Sequence, residues 1–524
     1  VLSQAPMRRP TRAVIAADSP STAEAGARIA EQGGSAADIA VAAAFAATMA
    51  ESLLCSLSGS GFAMVAPRDG EPELIDGAHT VPGLDPTLPP DRDDLDLLDY
   101  HLPYGSGVRI RIGRASVAVP GVPAMLETLW RRHGHLPWAK LLEPSLELAR
   151  SGWPARRTMS EYLQRVGHGS YMRQDDCFRT YVPDGQNPPA PGDPFHLPGM
   201  ESTIEQLARE GAKAFYEGEI ASAIDREMRD HGGLISRIDL QAYRTEVRRP
   251  LLLRSRGWSL ALNPPPSIGG AALGVLIGWL DRSWPTVPSN SQRALTLARA
   301  QRTLLELRSD VMEAADFDDT MARALLEETG LLPWLPRLSS PGTTQLSVAT
   351  SDGSLVSIAM SNGYDAGVNI PGTGITCNNA LGEPELNPRG YLSLPPGSRL
   401  VSNMAPTVAL CDTGRRLAFG SPGASRITTA LAQTWSWLAF EGLDPGDAIA
   451  APRLHIETSA DSARPVARVE PGFDTSLLEP FFDVRPFDHP DMYFGGVKLA
   501  LVEPDGSLVG HADPRREGAV LWVG

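Results

Sequence analysis

The chain has 524 residues, with 47 Lys and Arg against 62 Asp and Glu and a net charge of -15. That length exceeds one ordinary core, so two or more domains or one large multilayer domain are expected. The acidic balance argues against nucleic acid or an anionic membrane as partner, and no run reaches the roughly 18 apolar residues of a membrane span.

Hydrophobic residues make up 42% and charged residues 21%, the balance of a soluble globular protein. Cys55, Cys177, Cys377 and Cys411 are widely spaced with no CxxC. A metal site or disulfide framework is not expected, and a reducing cytoplasm fits. The first residues, Val1 to Pro10, hold basic side chains with no apolar run behind them, so no signal peptide is expected. His133 and His135 flank Gly134 with no Cys nearby and read as a solvated turn. Neither metal nor cofactor is expected.

In chain order, Ala13–Ala17 reads as a short buried strand. Ser21 or Thr22 can cap a helix to about Gln32, stopped by Gly33-Gly34. Ser35 caps a second helix, Ala36 to Met49, whose Ala content and lack of a polar face predict burial. Leu57 to Met64, with Gly59 and Gly61, reads as a tight approach into a strand beside a site. Residues 83–105, rich in Pro and Asp, read as surface loop, Ser116–Gly121 as a strand ending in a turn, and 122–152 as helical. Residues 154–200 are Pro-rich and expected to be irregular; helices are expected at 203–209, 214–230, 239–243, 271–280 and within 290–329. Short strands then alternate with Gly-rich turns at 346–350, 355–360, 407–411, 416–420 and 498–503, with helices at 424–441 and 446–451. The Pro- and Ser-rich stretch 335–342 marks an exposed boundary.

Directly after that boundary stands Gly342-Thr343-Thr344-Gln345-Leu346-Ser347-Val348, and Asp352-Gly353 separates this run from Leu355–Met360. Asp-Gly between two apolar runs predicts a hairpin, with the Thr pair at the exposed start of its first strand.

Gly-Thr-Thr alone says little. In one order along the chain, however, stand Gln32–Asp38, Val119-Pro120-Gly121, Asn263–Gly270, Gly342–Val348, Gly420–Ile427 and Ala512–Arg515. Together these resemble the gamma-glutamyltranspeptidase family over nearly the whole chain. The resemblance implies an N-terminal nucleophile hydrolase of α+β class, a four-layer αββα sandwich. Its precursor would cut itself between Gly342 and Thr343 into interleaved large (1–342) and small (343–524) subunits. The chemistry is self-consistent. A Thr hydroxyl needs a base, and cleavage would give Thr343 an α-amine whose reference pKa is about 8.

The resemblance places the catalytic roles on Thr343, on Ser361 beside it, and on Gly423 and Ala424, whose N–H groups would face the oxyanion. It places substrate contacts on Thr344, Ala78, His79, Glu383, Ser402 and Asn403. Departures from the family pattern fall among these contacts. The Arg that grips a glutamyl α-carboxylate is replaced by Ala78, the usual Asp by Glu383, the second of a Ser pair by Asn403, an Asn by Gly363, and a His by Gln345. An amide side chain three residues before Glu383 becomes Ala380. His79, next to Ala78, has two readings, a side chain facing the site and a surface-loop residue, the second preferred; Asp513-Pro514-Arg515 reads as structural. Arg109 or Arg111 is the candidate replacement for the missing cation. The expectation is preserved acyl chemistry on a small-molecule, non-glutamyl substrate. An amide or C–C bond is cut in secondary metabolism, with a 4-alkylproline-type antibiotic precursor favoured. The alternatives are an ordinary γ-glutamyltransferase or glutathione hydrolase, and a non-catalytic relative.

Overall fold

The computed structural model describes residues 9–88, 94–102, 108–165, 174–284, 286, 289–307, 318–328, 343–459 and 461–524. Gly342 and the boundary stretch before it lie outside the described residues.

Two antiparallel sheets carry the fold. The strands of both are numbered in chain order: β1 (Ala13–Ala17), β2 (Ser60–Ala66), β3 (Glu73–Gly77), β4 (Glu246–Arg248), β5 (Leu251–Ser255), β6 (Trp258–Leu262), β7 (Thr344–Thr350), β8 (Leu355–Ser361), β9 (Thr407–Cys411), β10 (Arg416–Gly420), β11 (Lys498–Val502), β12 (Leu508–Ala512) and β13 (Ala519–Val523). The first sheet runs β13-β1-β7-β8-β2-β3-β4 and the second β12-β11-β10-β9-β6-β5. Segments on both sides of Thr343 supply strands to both sheets, so neither segment closes a sheet alone.

Four layers follow from where the apolar side chains go. Helices α1 (Pro20–Glu31), α2 (Ala36–Ala50), α3 (Val122–His133) and α4 (Trp138–Ser151) cover the first sheet, burying Ile15, Leu346, Val348 and Ile358 against Ile39, Ala43 and Met125. Helices α5 (Gly269–Ser283) and α6 (Arg426–Trp435) share a second core with the facing sides of the two sheets. Strand β7 is therefore buried on both faces along its whole length. Its alternation of Leu346 and Val348 with Gln345 and Ser347 is not one of core and solvent, for Gln345 and Ser347 are buried too, facing the second sheet.

Helix α2 is buried at every position. Its Ala side chains let α1 approach until a Cβ on Gly26 would stand 3.4 Å from that of Ala43. Ser35 and Asp38 form a capping box. The Asp38 carboxylate also accepts from the N–H groups of His135 and Leu136 at 2.9 and 3.1 Å, so it ties α2 to the turn behind α3. His133 is no free turn residue, for its Nε2 lies 2.6 Å from Glu73.

The hairpin is as expected, with Thr344 opposite Met360 and Ala349 opposite Leu355. The exposed start is corrected: Thr343 is 4% exposed and Thr344 1%, because the segments that carry Ser361, Ser402 and Ala424 gather round the first and Asp18 and Glu51 meet the second. Other local expectations shift as well. The cap of α1 is Ser19. Ser116–Gly121 pairs only through the isolated bridge of Val119 to Thr80. Within 83–105 a strand, Leu98–Leu102, pairs with Val108–Ile112. Within 154–200 lie helices Arg157–Arg165 and Asp175–Tyr181. Among the described residues no helix is long and apolar enough to cross a membrane.

Candidate active site

Strand ends decide where the chemistry gathers. Strand β7 begins at Thr344, β8 ends at Ser361, β2 begins at Ser60 and β3 ends at Gly77. Ser361 pairs with Ser60, and Gly61 with Gly77. At the same end of the second sheet, β10 runs out into Ser421–Ala424, and Val401–Pro406 leads into β9. A small cleft opens there, lined by Ser60, Ala78, His79, Thr343, Ser361, Gly363, Glu383, Leu386, Leu400, Val401, Ser402, Asn403, Met404, Ala424 and Ile427. Of the sequence-predicted site residues, only Thr344 and Gly423 are not on this wall. Ser60 falls in the stretch expected beside a site, whereas Leu386, Leu400, Val401, Met404 and Ile427 were not anticipated. The last five are apolar, and nothing in their pattern separates a cleft wall from a core.

The two threonines part company. Thr343 lines the cleft. Thr344 turns its hydroxyl the other way, towards Asp18 at 3.1 Å and onto Glu51, so the substrate contact expected of it is replaced by an internal one. Gln345 lies between the sheets, with its Nε2 donating to Leu346 and Ser357 and its amide against Gly420. The interior of the sandwich, not the cleft, sets that position.

The turn after β10 is shaped to present N–H groups. Gly423 has φ +127° and Ala424 φ +57°. Among the described residues no acceptor takes either N–H. Only glycine adopts such φ freely, and an L-residue there is strained by about 1–2 kcal/mol. Ala424→Gly relieves that strain but frees the unfolded chain by about 0.4–1 kcal/mol. The expected result in denaturant titration is a gain of about 0.5–1 kcal/mol, with self-cleavage unchanged because the donor is backbone.

The positions expected to contact substrate have a local geometry of their own. Ala78 is 2% exposed with its methyl on the wall. His79 is not a surface-loop residue. It is 3% exposed and lines the cleft. Burial pushes its imidazole down to about 4, the hydrogen bond to Ser58 only partly opposing this, so near neutral pH the ring is uncharged. Nε2–H then donates to the Ser58 carbonyl at 3.3 Å, leaving Nδ1 as an acceptor. Glu383 and Gly363 explain one another. A Cβ on Gly363 would stand 1.9 Å from Glu383 Oε1 and 2.5 Å from Asn379 Oδ1. The longer acid fills the room that a side chain at 363 would need. Asn403 donates to Glu385 at 2.9 Å, and Ser402 Oγ accepts from Met404 N–H at 3.2 Å.

Asn263–Gly270 holds this wall from behind. Asn263 Nδ2 donates to Met404 O at 2.8 Å, and the N–H groups of Ile268 and Gly269 donate to Ser402 O. Arg109 and Arg111 lie elsewhere. They line a second cleft, with Asp99 and Tyr391, that meets the first only at Glu383. Arg111 is engaged there, pairing with Asp99 at 3.0 Å and stacking on Tyr391. Among the described residues no Arg or Lys lines the Thr343 cleft, and no cluster of His, Cys, Asp or Glu is arranged to hold a metal ion.

The family model for gamma-glutamyltranspeptidase matches residues 22–523. The chain belongs to that family. It is therefore a hydrolase of the gamma-glutamyltranspeptidase family, whose members are made as self-cleaving precursors. It is 29% identical to the acylase ACY 1 proenzyme of Pseudomonas sp. (strain SE83), over 98% of this chain and 94% of that one. It is 26% identical to the glutathione hydrolase proenzyme of Escherichia coli (strain K12), over 97% and 91%. Among solved structures, cephalosporin acylase from Bacillus halodurans covers the whole chain with TM-score 0.77 at 25% identity, and 98% of that structure is matched. LmbA2991 reaches the same TM-score of 0.77 at 21% identity over 99% of this chain, a likeness of fold. The four-layer sandwich of the gamma-glutamyltranspeptidase family is thus present in full.

Proposed function

We propose that this gamma-glutamyltranspeptidase-family hydrolase cuts itself between Gly342 and Thr343 and then uses Thr343 to hydrolyse an acyl group that is not γ-glutamyl. The two products would be the interleaved subunits 1–342 and 343–524. In the first step Thr343 Oγ attacks the Gly342 carbonyl, the peptide bond passes to an ester, and water frees both ends. In the second step the new α-amine takes the Oγ proton and Oγ attacks the substrate carbonyl. The N–H groups of Gly423 and Ala424 meet the oxyanion, the leaving group departs with that proton, and water releases the acid. Losing one such donor costs about 2.7–4 kcal/mol in similar sites.

The observation that carries the substrate reading is the cleft wall itself: Ala78 where a carboxylate-binding guanidinium would stand, and among the described residues no Arg or Lys on that wall. A free carboxylate on the acyl side would enter unpaired, beside Glu383. Truncating one partner of a desolvated charge pair costs about 2–5 kcal/mol, so γ-glutamyl groups should bind roughly 30-fold weaker or worse. The neutral His79 and the apolar Leu386, Leu400, Val401 and Met404 suit an uncharged acyl chain.

The test uses the processed protein against three substrates: a γ-glutamyl anilide, an acyl amide of the cephalosporin-acylase type, and a 4-alkylproline-type precursor carrying an oxo-acyl fragment on carbon. Turnover of the second or third with little of the first is expected. Preference for the anilide would overturn the reading. Ala78→Arg is expected to raise kcat/KM for the anilide roughly 30-fold.

A further inference from the structure

Behind the cleft, on the far side of β7 from it, lies a buried polar cluster that the acyl chemistry does not use. Asp18 follows β1, Glu51 closes α2, Thr22 lies in α1 and Thr344 opens β7, and all four are 2% exposed or less. Lys498 Nζ lies 2.6 Å from Asp18 Oδ1. Asp18 Oδ2 accepts from Gln345 N–H at 3.0 Å. Thr22 Oγ donates to Glu51 Oε1 at 2.5 Å. Thr344 Oγ is in hydrogen-bond contact with two carboxyl groups at once, Asp18 Oδ2 at 3.1 Å and Glu51 Oε2.

A Thr hydroxyl donates once. If both acids were ionised, Asp18 would keep Lys498 and the Gln345 N–H, but Glu51 would be a second buried charge on the same hydroxyl with no cation paired to it among the described residues, in the dry interior where that is most costly. That favours one proton shared into the pair. Asp18 is the anion of the two, held by the Lys498 ammonium and the Gln345 N–H. Glu51 has only the hydroxyls of Thr22 and Thr344 and no ion pair among the described residues.

The groups facing Glu51 agree with that assignment. They are Asp18, Arg156, the Cys55 thiol and the two threonines, while Lys498, Arg156 and Arg516 face Asp18. Burial, and then the Asp18 charge, push Glu51 up from the ordinary carboxyl value, with Arg156 and the Thr22 and Thr344 hydroxyls only partly opposing. Burial also pushes Asp18 up, but Lys498, Arg516 and Arg156 outweigh it and hold Asp18 low. The bonds then run one way: Glu51 donates to Thr344 and Thr344 donates to Asp18. Thr344 is locked in one rotamer, one residue from Thr343.

Resting on Thr343 as the nucleophile, we infer that Glu51 is a positioning residue that acts as the un-ionised acid, through the Thr344 hydroxyl, to hold Thr343 against the bond it attacks. A glutamine supplies the same donor and acceptor without a titratable proton. The sign follows. Because the folded protein holds the proton more tightly than the unfolded chain, this support is full at and below the ordinary carboxyl range. It is lost as pH rises through the raised value in the folded protein.

The test follows self-cleavage of freshly synthesised full-length chain on denaturing gels across pH, which needs no substrate. Glu51→Gln and Thr344→Ser are expected to cleave within about threefold of the natural chain. Glu51→Ala and the isosteric Thr344→Val should be slowed at least about tenfold, within the roughly 10²-fold that a 1 Å misplacement can cost. The natural chain should slow on the alkaline side, and Glu51→Gln should keep its rate there. Superimposable alkaline limbs for the natural chain and Glu51→Gln would overturn the inference, as would natural rates in Thr344→Val. Cleavage of Thr343→Ala would instead sink the nucleophile on which it rests, so the two failures are told apart.

Discussion

Thr343→Ala will remain one chain of 56.1 kDa on a denaturing gel, while the natural protein resolves into two fragments, the smaller beginning at Thr343. Its turnover of any substrate accepted by the processed protein will fall on the order of 10⁴-fold or more, the scale seen when a nucleophile is removed from a hydrolase. More than the motif points to Thr343. Thr343 lines the cleft with Ser361 and Ala424 on the same wall. Its neighbour Thr344 is committed to Asp18 and Glu51 and Gln345 is committed between the sheets. Among the three residues at this strand start, only Thr343 has its side chain at the cleft. Thr343→Ser keeps a hydroxyl at the same place and should still cleave. Two fragments from Thr343→Ala, with the same new N-terminus, would remove the nucleophile from the mechanism.

How much of this was legible beforehand differs by kind of residue. Backbone signals carried well. Asp352-Gly353 fixed the hairpin, and Ser35 with Asp38 fixed the start of α2, because turn and cap chemistry is local. Small edge strands did not carry. β4 is three residues, Glu246–Arg248, and joins its sheet only because β3 lies beside it. The site divided in the same way. Thr343, Ser361 and Ala424 come from stretches with a distinctive order of residues. Leu386, Leu400, Val401, Met404 and Ile427 reach the wall only through folding. His79 and Thr344 were misjudged for one reason: from sequence, exposure and side-chain direction at a strand end depend on layers supplied by distant segments. For His79 these are Ser58 and the Leu400 strand-like run, whose N–H donates to His79 O. For Thr344 they are the ends of β1 and α2.

The second large effect is on folding. Arg515→Ala should lower stability by about 3–5 kcal/mol, the usual result of breaking a buried ion pair by removing one partner. Arg515 donates from Nε to Glu470 Oε1 at 2.7 Å and pairs through Nη2 with Glu470 Oε2 at 2.5 Å. From Nη1 it reaches Asp513 Oδ1 at 3.1 Å and the Ile449 carbonyl at 2.9 Å. Asp513 is shared with Arg453 at 2.5 Å, and the Arg453 N–H donates to Glu470 at 2.9 Å. The side chains of all four are at most 1% exposed where their ion pairs are measured. Removing one guanidinium leaves Glu470 without its bidentate partner in a place water does not reach. It also unties the segment after β12 from the carbonyls of Ile449 and Ala451 at the end of the helix Pro445–Ala450. Asp513 adds a pH signature. Burial pushes it up, but Arg453 and Arg515 outweigh this and hold it below the ordinary 3.8. Its contribution is therefore present above that value and lost as pH falls through the lowered one. In Arg515→Ala the carboxylate keeps Arg453, the Val497 N–H and the backbone N–H at position 515 but loses one guanidinium, so its acid limb moves up towards 3.8. Denaturant midpoints at neutral and acidic pH will read both effects. An unchanged midpoint at neutral pH would mean that the quartet only fills space and that its charges do not hold the C-terminal strands in place.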